Sequence, residues 1–169
     1  EKVNYQTERP ISFSSWPTLD PLDHFEEIHR DEDSAVIDLA KVEIVNAPAG
    51  LFVTYHAYPY YPDFISLQSD YQPFSDNYGP NSYLGYLIEL KSHYPNYPLI
   101  IAEFGVPSSW GAAHYASSGM NHGGFDEYMQ GETNIRMLHT MEDAGCGGGM
   151  LFAWMDEWFK RTWVTDDFD

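Results

Sequence analysis

The chain has 169 residues, enough for one domain with a substantial core, and we expect residues 1–169 to form a single domain. Eight basic against 26 acidic residues give a net charge of −18, which argues against nucleic acid and anionic membranes as partners. Hydrophobic residues make up 43% of the chain and aromatic residues 17%, so the composition excludes a low-complexity disordered chain.

The first predicted strand covers residues 9–16 and ends at Trp16. A turn-rich stretch follows, and it keeps Asp20 near the end of that strand, where a side chain can contact a ligand. Glu26 and Glu27 lie farther along, so we interpret them as part of a solvated acidic loop rather than as catalytic groups. A weak helical pattern then predicts a helix within residues 35–45.

The second predicted strand covers residues 51–58 and is stopped by Pro59. Its last residues place His56 and Tyr58 at the carboxyl end of the strand. The segment that follows is long and rich in tyrosine, beginning with Tyr60. Long loops in compact domains are usually functional, so we expect this one to border a binding site.

A helix and a third strand come next. Apolar residues at helical spacing predict a helix over residues 82–94, with Asn81 or the serine after it as the N-cap. The run PLIIAEFG at residues 98–105 is typical of a buried parallel strand, because four apolar residues follow a proline. Glu103 ends this strand, and α/β enzymes place their chemistry at such carboxyl ends. The alternative for Glu103 is an acid that caps a loop or pairs with an arginine.

The last third of the chain repeats the alternation of loop, helix and strand. The segment 106–131 is rich in glycine and serine and carries Trp110. A helix is predicted over residues 133–144, and a strand over residues 149–154 that ends at Trp154. Strands that alternate with helices of this length predict βαβ units and a parallel sheet, which is the α/β class.

The aromatic residues are unusually numerous, with 13 tyrosines, 10 phenylalanines and 5 tryptophans. Tyrosine and tryptophan combine an apolar face with a hydrogen-bonding edge, which suits contact with sugar rings and their hydroxyl groups. Together with a carboxylate at a strand end, this composition indicates a carbohydrate-active cleft. An aromatic-rich core accounts for many of the same residues.

Three strand-end motifs occur in order along the chain: HAYP at residues 56–59, AEFG at 102–105 and AW at 153–154. Their order and spacing resemble the last strands of the retaining glycoside hydrolases of clan A, which are (β/α)8 barrels. In that clan the sixth strand often ends in His-x-Tyr, the seventh in the nucleophilic glutamate and the eighth in a tryptophan below the sugar. The resemblance covers roughly residues 9–160 and implies strands five to eight, a half-barrel.

The resemblance implies that Glu103 is the nucleophile that bonds covalently to the anomeric carbon. Tyr58 would orient that carboxylate, His56 would donate to it or to the sugar, and Trp154 would stack on the ring. A buried structural histidine and a packing tyrosine remain the alternatives for His56 and Tyr58. The further expected sugar contacts are Trp16, Asp20, Trp110 and Tyr60.

The chain departs from the clan pattern in its acid/base residue. A retaining enzyme needs a second carboxyl about 5 Å from the nucleophile, and the clan supplies it after asparagine at the end of the fourth strand. This chain contains no Asn-Glu dipeptide, so we expect the acid/base glutamate upstream of Glu1 and little or no turnover by this chain alone. Its exposed sheet edges would pair with the N-terminal half of the barrel or with a second copy, or be covered by additional N-terminal residues.

Other kinds of site have weaker support. A metal site lacks close ligand spacing, although histidines and acids are available at His24, His29, His114, His122, Asp126 and Glu127. Ser108 and Ser109 do not lie in the Gly-x-Ser-x-Gly motif of a serine hydrolase. We therefore expect neither a metal nor another cofactor.

A non-catalytic carbohydrate-binding or scaffold domain derived from such a barrel is the alternative function. The segment DEWFKR at residues 156–161 has no assigned role. The chain shows no secretory start and no apolar stretch of membrane-spanning length, while an extracellular or cell-envelope location would suit a polymeric substrate.

Overall fold

A computed structural model of the chain describes residues 9–29 and 35–156. Its centre is a four-stranded parallel sheet, and the strands stand in the order in which they occur along the chain. From one edge to the other they are β1 (Ser14–Ser15), β2 (Val53–His56), β5 (Leu99–Phe104) and β8 (Gly149–Leu151). The predicted α/β class and the parallel sheet are therefore confirmed.

Two of the helices in the described part of the chain connect neighbouring strands. Helix α2 (Ser82–His93) lies between β2 and β5 in the chain, and its N-cap Asn81 accepts a hydrogen bond from the Leu84 amide at 3.1 Å, as the sequence predicts. Helix α3 (Glu127–Asp143) lies between β5 and β8. It begins earlier than the predicted residue 133, because Asp126 caps its first turn. The first turn has no apolar periodicity, so the sequence pattern did not indicate this start.

The long segments of the sequence contain short elements of their own. The segment after β2 forms the short helix α1 (Phe64–Leu67) and an antiparallel hairpin of β3 (Ser75–Asp76) and β4 (Gly79–Pro80). The segment after β5 forms a second hairpin of β6 (Ala112–His114) and β7 (His122–Gly123). By contrast, the helix predicted within residues 35–45 is only a single 3₁₀ turn, at Leu39–Lys41.

The main core unites side chains from β2, β5 and α2. Tyrosine supplies much of it, and several of the buried phenol groups have hydrogen-bond partners: the hydroxyls of Tyr55 and Tyr94 form a hydrogen bond of 2.9 Å. The Tyr83 hydroxyl donates to the backbone carbonyl of Ala57, also at 2.9 Å. Part of the aromatic excess therefore builds the core, because a buried phenol is tolerated where its hydroxyl is satisfied.

Strand β8 lies close to α3 and β5 because residue 149 is a glycine. A Cβ atom at Gly149 would stand 2.7 Å from the Met141 sulfur and 2.8 Å from a ring carbon of Phe104. Both distances are shorter than ordinary van der Waals contact, so a larger residue would push the strand away.

Both edges of the sheet expose apolar side chains. Phe13 beside β1 is 60% exposed, and Met150 and Leu151 on β8 are more than half exposed. Within the described residues, none of the helices is both long enough and apolar enough to cross a membrane. Of the segment DEWFKR, only Asp156 belongs to the described residues, and it is exposed.

Candidate active site

The carboxyl ends of β2 and β5 bring three of the predicted residues together. The strand register places His56 opposite Glu103. The Tyr58 hydroxyl, two residues farther along, donates a 2.9 Å hydrogen bond to Glu103 Oε2. The Nδ1 atom of His56 lies 3.3 Å from Oε1, within ion-pair distance but without the geometry of a hydrogen bond. The hydrogen bond from Tyr58 holds the carboxylate in place. The Glu103 side chain remains 27% exposed, so the carboxylate is also accessible.

A cavity of about 500 Å³ lies beside this carboxylate. Tyr58 and His56, which contact Glu103, are part of its wall, and Trp16 presents its ring edge-on to His56 with the ring centres 4.9 Å apart. The size falls in the range of small-molecule sites. The complete lining is Trp16, Pro17, Thr18, Leu19, His56, Tyr58, Tyr60, Tyr61, Pro62, His114 and His122.

The hairpin β6–β7 adds two histidines to this wall, and sequence reasoning did not place them there. His114 and His122 are direct partners across the hairpin. The His122 ring stacks on Tyr60 with centres 4.6 Å apart and planes at 8°, while His114 Nε2 lies 3.6 Å from an oxygen of Asp63. Only the hairpin register reveals the pair, since eight residues separate them in the sequence.

Burial sets the protonation of two side chains in the wall. It raises the pKa of Tyr60, and the negative charge of Glu103 raises it further, so the phenol stays protonated and able to donate. Burial also lowers the pKa of His122, with a smaller contribution from the nearby His114. A neutral imidazole at His122 can both donate and accept a hydrogen bond.

Asp20 lies in the core rather than in the cavity wall, which differs from its expected role as a sugar contact. Its side chain has no exposed surface. Oδ1 accepts from His24 Nε2 and from the Leu22 amide, and Oδ2 accepts from the Tyr86 hydroxyl, each at 2.9 Å. A buried carboxylate requires such donors, and these bonds leave no surface of Asp20 for a sugar.

Glu26 and Glu27 connect their loop to the segment after β2. Glu27 is buried, and its two oxygens accept from the amides of His29 and Phe64 at 2.7 and 3.3 Å. The exposed Glu26 accepts a hydrogen bond from the amide of Ser69. The interpretation of a solvated acidic loop is therefore wrong for Glu27, because backbone amides take the place of water around it.

Two of the predicted tryptophans lie apart from the cavity beside Glu103. Trp110 is fully exposed and borders a second cavity of about 460 Å³. Trp154, three residues past β8, is 94% exposed and lines neither of these cavities. The structure thus groups Glu103, His56, Tyr58, Trp16 and Tyr60 at one site and leaves Trp110 and Trp154 outside it.

Comparison with known proteins supplies no assignment for this site. No protein-family model matches the chain, and no curated protein or solved structure matches it. Within residues 9–29 and 35–156, no group of three or more histidine, cysteine, aspartate or glutamate side chains is arranged to hold a metal ion. The chemistry of the site follows from its own residues.

Proposed function

We propose that this chain forms strands five to eight of a (β/α)8 retaining glycoside hydrolase and supplies its nucleophile, Glu103. One observation carries the proposal: a partly exposed carboxylate near the carboxyl end of a central parallel strand accepts a hydrogen bond from Tyr58, and Tyr58 lines a cavity walled by aromatic rings. Four parallel strands in chain order support the half-barrel, since a (β/α)8 barrel repeats this arrangement twice.

The proposed chemistry uses the two oxygens of Glu103 differently. Oε1 attacks the anomeric carbon of the sugar, and the bond to the leaving oxygen breaks with its electron pair, so that a glycosyl ester forms. Tyr58 donates to Oε2 and holds the carboxylate plane during the attack. Trp16 and Tyr60 would contact the apolar faces of the sugar rings.

A proton donor for the leaving group has to come from elsewhere in the complete barrel. Among the described residues that line the cavity there is no aspartate or glutamate. With ordinary glycosides, whose leaving alkoxide needs a proton, the chain alone therefore gives little or no turnover. Substrates with a leaving group that needs no proton remove this requirement.

The difference between leaving groups that need a proton and those that do not provides a test of Glu103 as the nucleophile. The purified chain is incubated with 2,4-dinitrophenyl 2-deoxy-2-fluoro-glycosides of glucose, galactose, mannose and xylose, and the intact mass is measured. We expect one of these sugars to add its glycosyl mass to the protein, because dinitrophenolate leaves as a stable anion while fluorine slows hydrolysis of the ester. Peptide mapping should locate the adduct on Glu103.

The matched control is Glu103→Gln, which keeps the size of the side chain and removes its nucleophilic charge. It should bind sugars at the same cavity and form no adduct. Binding of one of these sugars without formation of the ester would contradict the assignment of Glu103 as the nucleophile. An adduct on any other residue would contradict it too.

A non-catalytic carbohydrate-binding domain is the second candidate. The described cavity wall favours it in one respect, because the lining residues are rich in aromatic rings and imidazoles and include no carboxyl group. Saccharide binding with equal affinity by the parent chain and by Glu103→Gln, with no adduct from any activated sugar, would establish this alternative.

A further inference from the structure

Trp110 borders a cavity of its own at the base of the hairpin β6–β7. The cavity measures about 460 Å³, and the Trp110 side chain is fully exposed beside it. The segments on its two sides come together through a bridge between Ser108 and Phe125 and a hydrogen bond from the Ser109 amide to the Phe125 carbonyl at 3.0 Å. The complete lining is Ser108, Ser109, Trp110, Gly124, Phe125, Asp126 and Glu127.

The chemistry of this lining selects one class of ligand. An indole face and a half-buried phenylalanine supply apolar surface, while serine hydroxyls and the carboxylates of Asp126 and Glu127 supply polar oxygens. No basic side chain is present among these lining residues, which disfavours phosphate, sulfate or other anions. Aromatic faces beside hydrogen-bond acceptors suit the alternating C–H faces and hydroxyl groups of a neutral sugar.

The second cavity lies on the same hairpin segment that carries two residues of the first cavity. Trp110 precedes the cavity-lining His114 by four residues, a separation of at most about 14 Å between Cα atoms even in a fully extended chain. His122 is the partner of His114 on the opposite strand and also lines the first cavity, beside Glu103. A single saccharide chain of a few units can therefore reach both sites.

We infer that Trp110 and its cavity form a second, remote binding site for a neutral polysaccharide, one that continues the chain bound beside Glu103. This inference rests on the proposed function and specifies its substrate class, a polymer rather than a short glycoside. Short saccharides occupy only the first cavity, beside Glu103, whereas a polymer also stacks on Trp110.

The experiment compares polymer and trisaccharide binding by Glu103→Gln chains, in which no turnover occurs. Xylan, galactomannan and mixed-linkage β-glucan are tested by affinity electrophoresis, and the corresponding trisaccharides by titration calorimetry. Adding Trp110→Ala should weaken binding of the preferred polymer about tenfold, equivalent to about 1.4 kcal/mol, and leave its trisaccharide unchanged. Trp110→Phe keeps a smaller ring, so its affinity for the polymer should lie between that of the chain with Trp110 and that of Trp110→Ala.

Two control variants separate this site from the first. Tyr115→Ala removes another exposed aromatic side chain of the same hairpin segment, 75% exposed, and should change nothing because Tyr115 lines neither cavity. Trp16→Ala, in the first cavity, should weaken the binding of polymer and trisaccharide alike. Far-ultraviolet circular dichroism and melting curves verify that each variant folds.

The outcomes distinguish the second site from the proposed function. If Trp16→Ala weakens polymer binding and Trp110→Ala does not, the second site is overturned and the function stands. Equal losses from Trp110→Ala and Tyr115→Ala also overturn it. If the parent chain binds none of the three polymers or their trisaccharides, the second site and the carbohydrate function fail together.

Discussion

At the scale of single residues, Tyr58 determines how Glu103 presents its carboxylate. The phenol donates to one oxygen, and His56 lies beside the other. A hydrogen bond to a charged acceptor both stabilises the charge and restricts the rotation of its side chain. The orientation of the Glu103 carboxylate therefore depends on a tyrosine that follows the neighbouring strand β2.

Replacing that tyrosine should slow the chemical step without changing sugar binding. In Tyr58→Phe the ring stays and the bond to Glu103 is lost, so we expect the glycosyl adduct to form about tenfold more slowly, the loss of one hydrogen bond to a charged group. Adduct mass against time measures the rate. As a control, Tyr78→Phe removes a hydroxyl outside this cavity and should leave the rate of adduct formation unchanged. An unaltered rate in Tyr58→Phe would show that the hydrogen bond between Tyr58 and Glu103 has no kinetic role.

At the scale of elements, Arg136 joins three segments. From α3 its guanidinium donates to both oxygens of Asp76 on the hairpin β3–β4, at 2.7 and 3.1 Å. It also donates to the carbonyls of Pro80 and Ser118 at 2.8 Å each. The Arg136 and Asp76 side chains are each only 11% exposed, so little solvent screens the pair. One side chain thus holds the segments after β2 and after β5 against the same helix.

The Asp76 carboxylate should make the stability of this junction depend on pH. Burial opposes its ionisation, but the hydrogen bonds and charge of Arg136, together with hydrogen bonds from the Tyr78 amide and the Asn81 side chain, outweigh burial and lower the pKa of Asp76. Its stabilising contribution is therefore complete above about pH 4, the pKa of an unfolded aspartate, and is lost as the pH falls through the lower folded value.

Asp76→Asn should lower the free energy of unfolding by about 2 kcal/mol at pH 7, because Arg136 loses its charged partner but keeps two carbonyl acceptors. Urea unfolding between pH 2.5 and 7 measures the difference from the parent, which should shrink below pH 4. Asp70→Asn, at an exposed aspartate, should leave the free energy of unfolding within about 0.5 kcal/mol. A difference between parent and Asp76→Asn that stays constant across this pH range would contradict the role of the Asp76 charge.

At the scale of the whole molecule, the strands β1 and β8 form the two edges of the parallel sheet, and within residues 9–29 and 35–156 no further strand pairs with either of them. Parallel sheets are normally covered on both faces, and an edge strand with apolar side chains is a template for further pairing. Phe13 near one edge and Leu151 on the other are more than half exposed. The net charge of −18 opposes the approach of a second copy.

These opposing forces predict association that increases with protein concentration and with salt, because salt screens repulsion between copies more than it affects apolar burial. Gel filtration with light scattering measures the mass. Leu151→Lys places a charge on the β8 edge and should reduce association, whereas Leu67→Lys, at an exposed position on α1, should not. A monomer mass at every concentration and salt level would exclude pairing between copies.

The sequence by itself determined the elements whose signals are local. The apolar run before Glu103 predicts its strand, and Asn81 predicts the start of α2, because propensity, capping and periodicity act over a few neighbouring residues. The carboxyl-end position of Glu103 follows from the same run. The early start of α3 escaped prediction, since its first turn has a cap at Asp126 but no apolar spacing.

Only the tertiary structure decided which of these residues meet. The register between β2 and β5 sets His56 beside Glu103, and the path of the hairpin β6–β7 brings His114 and His122 to the cavity wall. Asp20 is buried in the core and does not line the cavity. Such distances depend on strand register and loop closure between residues far apart in sequence, and no local pattern encodes them.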